Sequence, residues 1–172
     1  MTRNNIIITG FSGTGKSTVA NTIADILGWE VIDTDNDVVS RTGLSISRIF
    51  QENGEASFRQ LERQAVQEAC AMTGRVIAVG GGAVMEESTR QMMEDSGFVV
   101  CLEARPETIY RRLNFAEQSS KTPEIRPLLH GHDPLTQIRE LKAQRQPIYA
   151  LAHCTVHTDT LTVEQVAKEI LM

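Results

Sequence analysis

The stretch that decides the fold is "GFSGTGKST", residues 10–18. It follows the β-branched apolar run "NIIIT", residues 5–9, and precedes apolar residues at helical spacing. The spacing G-x-x-x-x-G-K-[ST] is typical of a phosphate-binding loop, in which glycines let successive backbone N–H groups point at one anion. With a strand predicted before it and a helix after it, the stretch indicates a nucleotide site rather than a plain glycine turn.

The side chains of this loop have separate predicted roles. We expect Lys16 to reach the β- and γ-phosphates and the Ser17 hydroxyl to bind Mg²⁺. The helix that begins at Lys16 adds the positive end of its dipole. The predicted ATP site comprises Gly13, Thr14, Gly15, Lys16, Ser17 and Thr18. The loop does not tell whether the terminal phosphoryl group passes to a small molecule, passes to water, or is held as in a switch.

Size and composition suggest one soluble domain spanning residues 1–172, with 41% hydrophobic and 23% charged residues. The net charge of -5 argues against a nucleic-acid partner. Three widely spaced cysteines and no secretory or membrane-spanning pattern favour a cytoplasmic protein without a membrane partner. We further expect a monomer.

Strands and helices alternate along the chain, which predicts a parallel sheet covered by helices on both faces. The predicted strands are 5–9, 30–35, 76–79 (which runs into the three glycines 80–82), 98–103 and 154–158. The predicted helices are 16–27, 47–53, 55–71, 87–95, 106–114, 134–146 and 163–171, the last begun by a Thr162–Gln165 capping box. Residues 115–133 break the pattern and are predicted to be a lid.

Two acids end the second predicted strand. If the chain is extended there, Asp33 and Asp35 project to the same side, at the sheet edge where open α/β folds bind ligands. One could help to hold Mg²⁺, and the other could orient or deprotonate a substrate hydroxyl. The alternative for Asp35 is a helix N-cap or a solvated turn.

Three arginines are candidates for anion binding. Arg59, in "GEASFRQLE", could bind a substrate carboxylate with its fork, or could instead form a surface ion pair with Glu62 or Glu55. Arg126, in "IRPLL", could swing from the lid onto the transferred phosphoryl group. Arg145, in "QRQPIY", closes a predicted helix before Pro147, and both Arg126 and Arg145 could simply be solvated.

The glycine triplet Gly80, Gly81 and Gly82 follows the third strand directly. It permits a ligand to lie against bare backbone, although glycine content alone does not reject an unusual turn.

Taken together, these stretches resemble the shikimate kinase family. The likeness runs in order through "GFSGTGKST", "DTD", "IFQENGEASFRQLE", "GGG", "RPLL" and "RQPIY", and so covers nearly the whole chain. The loop alone is common to many enzymes, whereas "GE-x-x-FR-x-x-E" followed by a glycine triplet and "RPLL" is far more specific.

The resemblance implies a P-loop kinase fold with a five-stranded parallel sheet, a mobile lid and a substrate-binding segment at about residues 33–62. It implies ATP-dependent phosphorylation of the shikimate 3-hydroxyl with Mg²⁺ as cofactor. Lys16, Asp35 and Arg126 would be catalytic, Arg126 also contacting ATP, and Asp33 would lie near the metal with Ser17. The substrate would be bound by Asp35, Arg59, Gly80, Gly81, Gly82 and Arg145.

The resemblance also shows one departure and leaves two alternatives. Family members often carry a basic residue beside the adenine, but here the segment "HTDTLT", residues 157–162, has no lysine or arginine. Another small-molecule kinase on this scaffold, such as a gluconate kinase, is the first alternative. A nucleotide-binding regulator without catalysis is the second.

Overall fold

The computed structural model describes residues 4–119 and 133–172, in which strands and helices alternate. The strands are β1 (Asn5–Gly10), β2 (Glu30–Asp33), β3 (Arg75–Ala78), β4 (Gly97–Glu103) and β5 (Cys154–His157). The α helices are α1 (Lys16–Leu27), α2 (Thr34–Thr42), α3 (Ile46–Cys70), α4 (Glu87–Ser96), α5 (Pro106–Ser119), α6 (Pro134–Tyr149) and α7 (Val163–Leu171). A short 3-10 helix, Ala83–Met85, follows the glycine triplet.

All five strands are parallel and lie in the order β2-β3-β1-β4-β5, which confirms the predicted sheet. The apolar strand β1 occupies the centre, where Ile7 pairs with Ile77 on one side and with Val99 on the other. Strands β1 to β4 therefore end at the same edge of the sheet. The phosphate loop, the acids after β2 and the glycine triplet all follow strands there, so this edge positions the candidate site.

The core is divided between the two faces of the sheet because alternate residues of a strand point to opposite faces. Ile8 packs in a cluster with Ile23 of α1 and Val166 of α7. Ile7 belongs to a second cluster, which contains residues of α3, α4, α5 and α6, among them Met93. Helices thus cover both faces, and the predicted three-layer α/β/α arrangement is confirmed.

Several helix ends agree with the sequence signals. Helix α1 stops at Gly28, which is left-handed with φ 66° and donates its N–H to the Ala24 carbonyl. Helix α7 begins with the predicted capping box between Thr162 and Gln165. Gly54 interrupts α3 with non-helical dihedrals, φ 82° and ψ 167°, at the point where the sequence predicts a break.

Two predicted helix ends are wrong. Helix α5 continues beyond residue 114 to Ser119, so the first residues of the predicted lid are helical, and residues 120–132 lie outside the described part of the chain. Helix α6 continues through Pro147 to Tyr149 instead of closing at residue 146. Proline is tolerated there because the carbonyl that loses its partner belongs to Ala143, an exposed residue open to solvent.

Within residues 4–119 and 133–172, no helix combines the length and the apolar character that a membrane span requires.

Candidate active site

The phosphate loop is closed by its own hydrogen bonds. Thr14 donates its backbone N–H and its hydroxyl to the Phe11 carbonyl, at 3.3 and 2.8 Å. The Lys16 ammonium folds back over the loop and donates to the carbonyls of Gly10 (3.0 Å) and Phe11 (3.1 Å). Gly10 must be glycine, because a side chain would overlap the Leu102 carbonyl of β4 and φ is 136°.

The loop offers cationic and dipolar groups to an anion. Helix α1 has no side-chain cap at Gly15, so in this described segment its first-turn N–H groups are open to a ligand. Burial lowers the pKa of Lys16, and the nearby carboxylates of Asp35 and Asp33 oppose that shift. Ser17 and Thr18 are exposed on the first turn of α1. The arrangement is suited to binding a polyphosphate.

The Ser17 hydroxyl donates a hydrogen bond of 2.5 Å to Oδ2 of Asp33, joining the phosphate loop to the end of β2. Two neighbouring oxygen ligands that reach solvent fit a Mg²⁺ ion, which usually takes one or two protein oxygens together with phosphate oxygens and waters. Among the described residues, no group of three or more His, Cys, Asp or Glu could hold a metal by itself. The donor set therefore suits a metal that is shared with a nucleotide.

Asp35 does not lie on an extended strand, and the expectation that Asp33 and Asp35 project together from one is wrong. Oδ1 of Asp33 accepts the Asn36 N–H at 3.1 Å, which caps α2 and turns the chain into a helix at Thr34. The N-cap considered for Asp35 is thus supplied by Asp33. Asp35 lies in the first turn of α2 and still faces the sheet edge.

The first glycine of the triplet marks where Asp35 meets other elements. A Cβ on Gly80 would lie 2.6 Å from Oδ1 of Asp35 and 2.5 Å from Oε1 of Glu62. The Gly80 N–H donates to the buried Thr34 hydroxyl at 3.3 Å. Asp35 is therefore in direct contact with the backbone that follows β3, and a side chain at residue 80 would displace both carboxylates.

Arg59 forms both of the ion pairs that the sequence left open. Its Nη1 lies 2.6 Å from Oε2 of Glu62, and its Nη2 lies 3.4 Å from Oε1 of Glu55. The Glu62 pair is not a surface pair, because that side chain is only 4% exposed. Burial raises the pKa of Glu62, which Arg59 and Arg145 oppose. A side chain at Gly82 would overlap the Arg59 guanidinium.

Arg145 reaches the same region from α6. Its guanidinium carbon lies 5.8 Å from the centre of the Phe11 ring in the phosphate loop. One turn further on, the buried Tyr149 hydroxyl donates to the Gly81 carbonyl at 2.7 Å. Burial raises the pKa of Tyr149 to about 12, so the hydroxyl keeps its proton at neutral pH. Helix α6 is thus bonded to the glycine triplet as well as to the loop.

A pocket of about 370 Å³ lies between α3, α6 and the residues after the glycine triplet. Three arginines line it, and two of them, Arg59 and Arg145, are predicted site residues, as is Gly82. The remaining lining residues are Glu55, Glu62, Arg63, Ala83, Met85, Glu86 and Thr89. Its size and its paired cations suit a small organic acid.

Three contributors were not assigned roles from the sequence. Glu62 appears there only as an ion-pair partner, and the contact of Tyr149 with Gly81 joins distant residues. Arg112 of α5 gives no local signal, yet its Nη2 donates to the Thr158 carbonyl at 2.7 Å and its Nη1 to the Thr14 carbonyl at 3.4 Å. Arg112 joins the loop after β5 to the phosphate loop. It also places a cation beside residues 157–162, a segment without lysine or arginine.

The structure brings together most of the predicted site. Lys16, Ser17 and Asp33 form one group, and Asp35, Arg59 and the glycine triplet form another, beside Arg145. Arg126 lies outside the described residues. Its predicted contact with the phosphates and its place in a lid stay predictions.

The parallel sheet, the phosphate loop and the adjoining acid pocket define the class: a P-loop kinase that acts on a small molecule. The family model described as shikimate kinase matches residues 12–172. The chain belongs to the shikimate kinase family.

Individual relatives agree with this assignment. The shikimate kinase of Caldanaerobacter subterraneus subsp. tengcongensis is 42% identical over 167 residues, which are 97% of this chain and 94% of the relative. A shikimate kinase of Thermus thermophilus is 40% identical over 166 residues, 96% of this chain and 87% of the relative.

Solved structures separate the family from the general fold. The shikimate kinase from Acinetobacter baumannii in complex with shikimate superposes with a TM-score of 0.89 at 33% identity, covering 99% of this chain and 92% of that chain. A gluconokinase from Sinorhizobium meliloti 1021 gives a TM-score of 0.59 at 18% identity, which is a likeness of fold alone.

Proposed function

We propose that this protein transfers the γ-phosphoryl group of ATP to the 3-hydroxyl of shikimate and so serves aromatic amino-acid (chorismate) biosynthesis. The observation that carries the proposal is one pocket lined by Arg59 and Arg145, next to the glycine triplet where Asp35 and Glu62 converge. The family membership gives the reaction class, and the pocket gives a physical reason for an acidic, hydroxylated acceptor.

The donor half of the site is the phosphate loop. The open N–H groups at the start of α1 and the Lys16 ammonium are the groups proposed to bind the ATP phosphates. Ser17 and Asp33 are the residues proposed to hold Mg²⁺, which when bound would neutralise charge on the β- and γ-phosphates. Gly13, Thr14, Gly15 and Thr18 complete this proposed ATP site, which Arg126 would close.

The acceptor half is the pocket on the other side of the glycine triplet. Shikimate carries one carboxylate, which the two guanidinium groups of Arg59 and Arg145 are suited to bind. Gly80, Gly81 and Gly82 leave room for the ring, because a side chain at residue 80 or 82 would displace the charged groups. Binding the carboxylate at one end fixes where the hydroxyls lie, and positioning supplies much of the rate acceleration in phosphoryl transfer.

Asp35 is the group proposed to orient the reacting hydroxyl. The hydroxyl oxygen forms a bond to the γ-phosphorus while the bond from that phosphorus to the β-γ bridging oxygen breaks, which releases ADP. The hydroxyl proton passes to the Asp35 carboxylate and then to solvent. Lys16, whose charge interacts with that of Asp35, couples the proton acceptor to the phosphate loop.

A panel of acceptors tests the proposal against its alternatives. ADP release is measured with purified protein, ATP and Mg²⁺ in the presence of shikimate, gluconate or a nucleoside monophosphate. We expect turnover with shikimate alone. Turnover with gluconate but not with shikimate would establish the other kinase, and ATP binding in a calorimeter without turnover on any acceptor would support a regulator.

A further inference from the structure

An ion pair joins α6 to the edge of the sheet at which the proposed site lies. The Lys142 ammonium pairs with the Glu103 carboxylate at the end of β4, and the side chains are only 15% and 9% exposed. Lys142 also donates to Oε1 of Gln146 at 3.1 Å, which fixes the direction of its side chain. We refer to this contact as the Glu103–Lys142 pair.

The pair differs from another ion pair that the same helix forms. Arg139 of α6 contacts Glu107 of α5, and those side chains are 52% and 55% exposed, so that contact is screened by solvent. The Glu103–Lys142 pair is largely desolvated, and a desolvated pair is weak support for stability because removing two charges from water is costly. Its geometry is nevertheless fixed, because separating the two side chains would leave each charge buried without a partner.

Both partners connect to groups of the proposed site. Lys142 stands three residues before Arg145 and seven before Tyr149, so all three lie along one side of α6. On the strand side, Leu102 pairs with Gly10, which places Glu103 beside the start of the phosphate loop.

The backbone of Glu103 is also fixed. Its carbonyl accepts hydrogen bonds from the Thr158 N–H at 2.8 Å and from the Thr158 hydroxyl at 3.2 Å. Thr158 in turn accepts from Arg112, which contacts the phosphate loop. The pair therefore joins α6 to an anchored point on the nucleotide side of the site.

We propose that the Glu103–Lys142 pair is a positioning contact that sets where Arg145 stands relative to the phosphate loop. An apolar contact would hold α6 against the sheet without fixing its position along the axis, whereas a single buried cation facing a single buried anion does fix it. The pair acts on the acceptor side through Arg145 and does not touch the reacting atoms. This inference rests on the proposed function, in which Arg145 binds the acceptor carboxylate.

The test uses a variant that removes both charges, Lys142→Met with Glu103→Met. The single substitutions leave a buried charge without a partner and can fail to fold, while replacing both partners by apolar residues is often neutral for stability. We expect a thermal midpoint close to that of the wild type and a kcat/KM for shikimate lower by about 10-fold or more, since small misplacements in an active site can cost about 100-fold. The KM for ATP at saturating shikimate should change by less than about 3-fold, because the phosphate loop is left intact.

Two further variants complete the experiment. Arg139→Met removes the exposed ion pair of the same helix and should keep the wild-type kcat/KM. In a double-mutant cycle, the loss caused by the charge-free variant should shrink in an Arg145→Lys background, because both changes act through the same guanidinium.

The outcomes separate this inference from the proposed function. A wild-type protein without shikimate turnover would overturn the proposed function itself. Wild-type turnover together with wild-type kinetics in the charge-free variant, or with fully additive losses in the cycle, would leave the function in place and overturn the positioning role.

Discussion

Arg59 shares its guanidinium between two acids of its own helix, and the two contacts are unequal. The contact with buried Glu62 is 2.6 Å long, whereas the contact with the 68% exposed Glu55 is 3.4 Å long. An incoming carboxylate can replace the long, solvated contact with Glu55, while the short, buried contact with Glu62 keeps the guanidinium group in place. At the scale of single residues, we therefore propose that Glu62 orients Arg59 and that a bound carboxylate would displace Glu55.

Arg59→Lys tests whether the planar guanidinium group contacts Glu62 and a ligand carboxylate at the same time. Lysine keeps the charge but cannot hold Glu62 and a ligand carboxylate at once with a planar group. We expect the KM for shikimate to rise by about 10-fold, in line with the loss of one charge-assisted hydrogen bond, and the KM for ATP to change little. Steady-state kinetics with each substrate varied in turn measure both.

Arg48→Lys is the matched control, because Arg48 lies on the same helix and forms an exposed pair with Glu52 at 2.7 Å. It should leave both KM values unchanged. An unchanged shikimate KM in Arg59→Lys would remove Arg59 from the carboxylate site.

Glu62 also gives a prediction about pH. Burial raises its pKa in the folded protein above the ordinary 4.5, so the folded protein holds a proton that the unfolded chain has released in the range just above pH 4.5. The contribution of Glu62 to the free energy of unfolding is then largest below that range and falls as pH rises through it. The difference in free energy of unfolding, wild type minus Glu62→Gln, should decrease from pH 4 to pH 7.

Glu107→Gln provides a control of opposite sign. A hydrogen bond from Arg139 lowers the pKa of Glu107, so its contribution is present above the ordinary pKa and is lost as pH falls. The corresponding difference should increase with pH. Urea unfolding at each pH measures both, and a Glu62 difference that rises with pH would contradict the assignment.

At the scale of elements, the glycine triplet is where the separate pieces of the site meet. Gly80 touches α2 and α3 through Asp35 and Glu62, and the Gly81 carbonyl accepts a hydrogen bond from Tyr149 of α6. Gly82 lies against the Arg59 guanidinium. Gly80 and Gly82 are needed for a close approach, and the triplet does not form an unusual turn, since none of its residues has positive φ.

Gly82→Ala should therefore affect catalysis more than stability. The added methyl group displaces the flexible end of Arg59 without backbone strain, and we expect kcat/KM for shikimate to fall by about 10- to 100-fold at a nearly unchanged thermal midpoint. Gly74→Ala should do the reverse. Gly74 has φ 67° and open space around its Cβ position, so alanine costs about 1 kcal/mol of stability and leaves the kinetics unchanged. Kinetics and thermal unfolding of both variants decide the matter, and normal kinetics in Gly82→Ala would count against the close-contact role.

How far the sequence predicts these elements depends on how local the signals are. Strand β1, helix α1 and the capping box of α7 follow from periodicity and end signals within a few residues. Helix α2 was not predicted. Asp33 ends strand β2 and also caps α2, and the sequence pattern indicated only the strand. The contacts of Arg112 with the loop backbone and of Lys142 with Glu103 join residues far apart in sequence, and no local pattern announces them.

At the scale of the whole molecule, an acidic protein places four cations at one edge of the sheet. The net charge is -5, yet Lys16, Arg59, Arg112 and Arg145 all lie in or beside the proposed site. Two apolar clusters hold the sheet between helices, and the ends of β1 to β4 bring distant stretches of sequence to that edge. The apolar clusters thus hold the sheet in place, and the residues that follow the strand ends form the proposed site.

Ligand-dependent stability tests this charge arrangement on the intact protein. Shikimate at about 100 times its Kd should stabilise the folded state by about 2.7 kcal/mol, which corresponds to about 5–10 °C in Tm for a domain of this size. The methyl ester of shikimate, which lacks the carboxylate charge, should give a much smaller shift at the same concentration. Equal shifts would show that the two guanidinium groups do not recognise the carboxylate.

The most direct test of the central claim is to identify the atom that carries the transferred phosphoryl group. Wild type and Asp35→Asn are incubated with ATP, Mg²⁺ and shikimate, and phosphorus–proton coupling in the NMR spectrum of the product identifies the phosphorylated carbon. We predict shikimate 3-phosphate from the wild type and a loss of rate of about 100-fold or more in a folded Asp35→Asn protein, since positioned acid–base groups contribute about 100- to 10,000-fold. A phosphoryl group on another oxygen or on no acceptor, or near-normal turnover by Asp35→Asn, would contradict the account.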